Sequence, residues 1–325
     1  MKAFNFSGWK SQNTVRRMRF ALLCLVLVPL FVVTASAAAR KHAKPPAPKR
    51  HHAGTPFSSV ISRDPYIGAI VVDAATGRAI FEDNANGIGY PASVVKLIDL
   101  LIIMERVQQG TLKLTDRVTV AAEAVNVGGS QCYLRPKETF TIDELLYALM
   151  IKSANDAAAA LAIHVAGSKT AFIELMNQKA GELGMTSTHF NSVNGLPPQG
   201  KTPDESTPRD LSLLARAVLK YPDALRYTST RFYAFRKREY DMNNHNHLLG
   251  AVEGCDGLKT GYFSKAGFSI VATARRDNVR LITVVLGSRY RQTRDRQARS
   301  LLTESFRALP PSYALVPSLD SARHN

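Results

Sequence analysis

Cysteine is scarce in this 325-residue chain: Cys24, Cys132 and Cys255 are all it has. Cys24 lies in an N-terminal apolar run with no small-residue lipobox before it, which argues against a lipoprotein. Cys132 and Cys255 permit one disulfide in an oxidising compartment, but spacing alone does not establish proximity. Acidic residues are also in short supply, 26 against 42 Lys and Arg, for a formal charge of +16. Long apolar runs are missing too. The N-terminal one, Phe20 to Val33, is short for a stable membrane span. Metal-ligand patterns are incomplete: Asn244-His245-Asn246-His247 would place two histidines on one face of a strand, with no third ligand nearby, so no metal is expected.

Arg16, Arg17 and Arg19 precede the apolar run, and Ala35-Ser36-Ala37 offers a small-x-small cleavage site. Residues 1–37 therefore read as a secretory signal or an uncleaved anchor, the one expected route to a membrane. The signal holds five basic residues and no acidic one, so the remainder carries +11. Such a charge on an exported protein suits an anionic polymer such as a cell wall. Nucleic acid is the competing partner for so basic a chain, but export removes it. The basic-aromatic run Arg231 to Arg238 reads instead as a solvated strand or hairpin. Residues 38–63 mix proline with charge and form an extended tether. The folded domain is expected over 64–309, followed by a tail over 310–325.

Within that domain, two β-rich segments flank Ala74-Ala75-Thr76-Gly77 and predict a hairpin. An apolar run from Val94 to Val107 predicts a buried helix, and Thr141 with Glu144 a capping box opening a helix that runs to Lys152. An alanine-rich helix follows from Ala157 to Ala166, then helices near 169–183 and 208–219. Three strands in a meander cover roughly 257–287, before a last helix from Arg294 to Leu309. Strands at both ends around a helical middle predict an α+β fold, with an antiparallel sheet built from the two chain ends and a mostly helical insert.

Ser93-Val94-Val95-Lys96 stands where a turn meets the Val94 helix. Residues three apart on a helix share a face, so hydroxyl and ammonium lie side by side. A serine is a weak nucleophile until a base takes its proton, and a lysine withdrawn from water can be neutral enough to do so. A capping serine and a solvated lysine would give the same four letters, and Ser7 to Lys10 repeats them. Ser153-Ala154-Asn155 sits at a helix–helix junction, yet Ser-x-Asn also occurs at Ser11 and Ser192, so the tripeptide alone means little.

In order, Ser93-x-x-Lys96, Ser153-x-Asn155 and Lys259-Thr260-Gly261 match the motif set of penicillin-binding proteins and serine β-lactamases. Over roughly residues 64–309 the chain resembles the low-molecular-mass penicillin-binding proteins, the serine D-Ala-D-Ala carboxypeptidases. The resemblance extends to Tyr90-Pro91-Ala92-Ser93 and Asp256-Gly257-Leu258-Lys259-Thr260-Gly261. It implies a β-lactamase/transpeptidase-like fold and a periplasmic or envelope enzyme acting on peptidoglycan stem peptides, with β-lactams as covalent inhibitors. It also implies roles: Ser93 as nucleophile, Lys96 as base, Ser153 as proton relay and Asn155 as a holder of substrate and Lys96. Lys259 and Thr260 would bind the terminal carboxylate, with Gly261 beside them. The backbone N–H groups of Ser93 and Tyr262 would form the oxyanion hole. No cofactor is implied. No Glu-x-x-x-Asn loop supplies the water-activating glutamate of class A β-lactamases, so efficient antibiotic hydrolysis is not expected. The segment after Lys259 is expected to be used up by two strands and a helix, without the extra β-domain of many relatives. Cross-link-cleaving D,D-endopeptidases use the same groups and stay open as an alternative, as does a non-catalytic wall-binding protein.

Overall fold

The computed structural model describes residues 62–310 apart from positions 198 and 201, together with Tyr313. The expected signal or anchor, nearly all of the tether and nearly all of the tail lie outside the described residues.

The first hairpin forms where Asp73 can organise a turn. Its Oδ1 accepts from the Thr76 backbone at 2.6 Å and from the Thr76 hydroxyl at 2.7 Å, and Gly77 takes a positive φ. The strands on either side are β1 (Gly68–Asp73) and β2 (Ala79–Asp83). Three long strands arise near the other end, β7 (Cys255–Phe263), β8 (Gly267–Arg276) and β9 (Val279–Ser288). They join the hairpin in one five-stranded sheet, order β2-β1-β9-β8-β7, with every neighbour antiparallel. The two chain ends meet at β1 and β9, as expected.

Side chains alternate across this sheet with period two. Ile70, Val72, Ile282, Val284 and Leu286 enter the larger core, shared with α1 (Lys96–Gln108) and α5 (Pro208–Val218). Ala69, Val71, Ile270, Leu281 and Val285 enter the smaller one, closed by Ala298, Leu301 and Leu302 of α7 (Arg291–Ala308).

Between the strands lies the helical middle. A short pair, β3 (Arg117–Thr119) and β4 (Thr139–Thr141), leads into α2 (Ile142–Tyr147), where the expected Thr141–Glu144 capping box is present. The predicted continuous helix to Lys152 is corrected here. From Ala148 to Lys152 the backbone widens into a π-helical turn, and Ser153 takes a left-handed conformation, φ 60°. The chain passes at once into α3 (Asn155–Ala166), and the Ala154 N–H closes back on Ala148 O at 3.1 Å. α4 (Lys169–Glu182) follows, and α5 starts with Pro208 behind a Thr207 cap. α6 (Pro222–Ser229) was not anticipated. The basic-aromatic run does form a hairpin with the residues after it, β5 (Phe232–Phe235) and β6 (Tyr240–Asn243), although Phe235 is buried and not solvated.

Asn244 to His247 form no strand, since β6 ends at Asn243. The segment turns because Asn246 bonds outward on both sides of its amide, donating to Gly257 O at 3.1 Å and accepting from Leu248 N at 3.0 Å. Cys132 and Cys255 are both free thiols.

Leu302 is fully buried between α7 and the sheet. Leu302→Ala is expected to lower unfolding free energy by about 2–5 kcal/mol, measured by urea denaturation.

Candidate active site

Ser93 occupies a single 3-10 turn, Ala92–Val95, that runs into α1. Two glycines make its position possible. On β7, a Cβ at Gly261 would sit 2.3 Å from Pro91 O and 3.1 Å from the Ser93 nitrogen. On the opposite side, Gly195 has φ +87°, and a Cβ there would lie 2.2 Å from Ala92 O. The serine turn is thus gripped between two backbones that only glycine lets approach.

Lys96 is the first residue of α1 and fully buried. Its Nζ lies 2.8 Å from Ser93 Oγ, 2.8 Å from Asn155 Oδ1 and 2.6 Å from Asn194 O. Burial pushes its pKa down to about 7, against the pull of Asp99, Asp204 and Asp156. Nζ donates to all three oxygens, and the Ser93 hydroxyl is directed at Asn194 O at 3.3 Å. In the neutral amine, Asn155 Oδ1 and Asn194 O, which can only accept, would keep the two N–H bonds and leave the lone pair for the Ser93 hydroxyl.

Asn155 is held at both ends of its amide, since Nδ2 donates to Gly128 O at 2.9 Å. Its neighbour Asp156 pins the loop that carries Gly128, accepting from the backbones of Cys132 at 3.2 Å and Leu134 at 2.9 Å. Ser153, projected by its left-handed backbone, is buried, and its hydroxyl has no partner among the described residues. It opens on the same cleft as Ser93, a cavity of about 500 Å³.

The other wall is β7. Thr260, Gly261 and Tyr262 line the cleft, while Lys259 is buried behind it, donating to Thr260 O at 2.9 Å. Burial, with the positive charges of Lys96 and Arg294, holds the Lys259 pKa well below the ordinary lysine value. Tyr262 is 53% exposed and stacks on Phe268 with ring centroids 4.1 Å apart.

All eight residues singled out from the motifs therefore gather at one place, with Ser93, Lys96 and Asn155 in direct contact. Sequence reasoning missed three participants. Asn194 contributes a backbone oxygen, 2.6 Å from Lys96 Nζ and 3.3 Å from Ser93 Oγ. It belongs to the Ser192-x-Asn194 tripeptide that the motif reading discounted. Arg294, in the first turn of α7, lines the cleft although buried, and donates to Ser269 O at 3.3 Å. His245 lines the cleft as well, its pKa lowered to about 4 by burial and then by Lys259 and Lys152. No carboxylate lines the cleft among the described residues, which also hold no group of three or more metal-ligating side chains.

Comparison with known proteins agrees with this geometry. Residues 66–290 match the model of the S11 peptidases, described as D-alanyl-D-alanine carboxypeptidase. The D-alanyl-D-alanine carboxypeptidase DacF of Bacillus subtilis is 34% identical over 73% of the chain, which spans only 61% of that relative's length. A D-alanyl-D-alanine endopeptidase of Pseudomonas aeruginosa is 30% identical over 90% of the chain and 92% of its own length. Ampicillin-bound penicillin-binding protein D2 of Listeria monocytogenes superposes with a TM-score of 0.68, at 31% identity over 74% of this chain and 97% of that one. The antiparallel sheet flanked by helices is thus the β-lactamase/transpeptidase-like fold of the penicillin-binding proteins, and the chain belongs to the S11 family of D-alanyl-D-alanine carboxypeptidases.

Proposed function

We propose that the protein is a serine-type D-Ala-D-Ala carboxypeptidase of the bacterial periplasm or cell envelope, which removes the terminal D-alanine from peptidoglycan stem pentapeptides. The observation that carries this reading is the Lys96 amine, buried, 2.8 Å from Ser93 Oγ, with its other contacts both obligate acceptors.

In this reading neutral Lys96 takes the Ser93 proton as Oγ attacks the carbonyl carbon of the penultimate D-alanine. The backbone N–H groups of Ser93 and Tyr262 receive the developing oxyanion, where loss of one donor costs roughly 3–4 kcal/mol of barrier. Ser153, whose hydroxyl has no partner among the described residues, relays the proton taken up by Lys96 to the departing D-alanine nitrogen as the C–N bond breaks. Asn155 keeps Lys96 and the peptide backbone aligned. Water then attacks the ester and frees Ser93. Thr260 on the cleft wall and Lys259 behind it attract the terminal carboxylate, and Arg294, itself paired with Asp295 at 2.6 Å, stands beside a cleft that no carboxylate lines among the described residues. That composition also supports slow release of a β-lactam, because no acidic side chain stands ready to activate water against its acyl-enzyme.

Incubated with purified peptidoglycan, the mature protein is expected to shorten pentapeptide stems by one D-alanine while cross-linked dimers persist. Dimers falling to monomers would replace this reading with an endopeptidase, and no change in either would leave a wall-binding protein. Ser93→Ala is expected to lower peptide hydrolysis by on the order of 10⁴-fold or more, and to prevent a covalent penicillin adduct, without loss of the folded melting transition.

Acylation requires the unprotonated amine, and Lys96 loses its proton as pH rises through about 7. The rate of labelling by a fluorescent penicillin is therefore expected to rise across that value and to fall about tenfold per unit below it. The adduct itself is expected to outlast the labelling by a wide margin when its decay is followed by intact-protein mass.

A further inference from the structure

Three buried carboxylates, Asp99, Asp204 and Asp156, act electrostatically on Lys96, and they are not equivalent. Asp204, in the loop before α5, is satisfied by the backbones of Asn191 at 2.6 Å and Ser192 at 2.8 Å and by the Ser192 hydroxyl at 2.7 Å. Asp156, on α3, accepts from the backbones of Cys132, Leu134 and Ala157. Asp99 has nothing comparable. It lies one turn beyond Lys96 on the same face of α1 and is fully buried, and neither carboxyl oxygen has a hydrogen-bond partner among the described residues. A buried carboxylate without donors is costly unless a cation stands close or a proton is taken up. The nearby cation is Lys96 itself. Lys259 on β7 is a second buried amine near Lys96, and Asp210 on α5 is occupied with Ser187 and Thr188.

We propose that Asp99 is a positioning residue that sets the charge state of the Ser93 base. While ionised, its carboxylate favours the Lys96 ammonium; when the carboxyl takes up a proton or is removed, that bias is lost and the amine is favoured to accept from Ser93. Burial raises the Asp99 carboxyl well above the usual range, and Lys96 opposes that rise, the behaviour of two coupled groups. Asp204 and Asp156 are held instead by backbone N–H donors.

The inference rests on Lys96 acting as the base, and its test separates the two. The pH dependence of fluorescent-penicillin acylation is measured for the wild type, Asp99→Asn, Asp99→Thr and Lys96→Ala, with a melting curve for each. Removing the ionisable carboxyl removes an anion that favours the ammonium. Both Asp99 variants are therefore expected to move the acid limb to lower pH, by about half a unit or more. A variant that melts like the wild type and leaves the limb unmoved would overturn the role of Asp99. Unfolding of both Asp99 variants would overturn it as well, by making the residue a structural necessity. Acylation that survives in Lys96→Ala would instead overturn the reading of Lys96, whatever the Asp99 variants do.

Discussion

The site depends on one buried amine. Lys96 Nζ has three neighbours and a place for each: two oxygens that can only accept and one hydroxyl that can give up its proton. Burial there weakens the hold on the third proton, and once it is lost the two obligate acceptors keep both N–H bonds and leave the lone pair for Ser93. The remaining features of the centre arrange those three neighbours. Asn155 is locked through Gly128, and Asn194 belongs to the loop that Asp204 ties together. Ser93 is held by the close approach of Gly195 and Gly261.

The sheet supplies the rigidity this arrangement needs. β7 is an edge strand, paired on one side with β8 and free on the other to face the serine turn. Thr260, Gly261 and Tyr262 therefore line the cleft from a paired backbone and not from a loop. Opposite it, the π-helical turn between α2 and α3 gives Ser153 a left-handed backbone that a continuous helix would forbid. Such conformations cost free energy, and here the cost is borne where a hydroxyl must be turned into a cavity.

Much of this was legible in the residues. The β-rich segments around Ala74-Ala75-Thr76-Gly77 and the meander over roughly 257–287 marked the strands, the Thr141–Glu144 box marked α2, and the three motifs pointed to side chains that the fold gathers at one cleft. What was missed has physical causes. A backbone carbonyl carries no sequence signal, so Asn194 was invisible even though its tripeptide had been noticed and set aside. Arg294 and His245 reach the cleft through tertiary packing that local pattern does not encode. The π-helical turn leaves the helical spacing of apolar residues nearly intact, so Ala148 to Lys152 read as ordinary helix. Asn244 to His247 read as a strand because alternate histidines share a strand face, and that spacing does not show the capacity of Asn246 to build its own turn.

The pairing of β1 with β9 has a consequence for how the molecule comes into being. A chain emerging from the ribosome exposes Gly68–Asp73 long before Val279–Ser288 exists, so the central pairing of the sheet must wait for distant residues. The serine turn is delayed in the same way, because its wall, Gly261, lies on a strand made near the end. A nascent or truncated chain would hold the reactive serine and its lysine without the surroundings that make them reactive. Potency toward acyl donors thus arrives late and all at once, when the last strands close over the first.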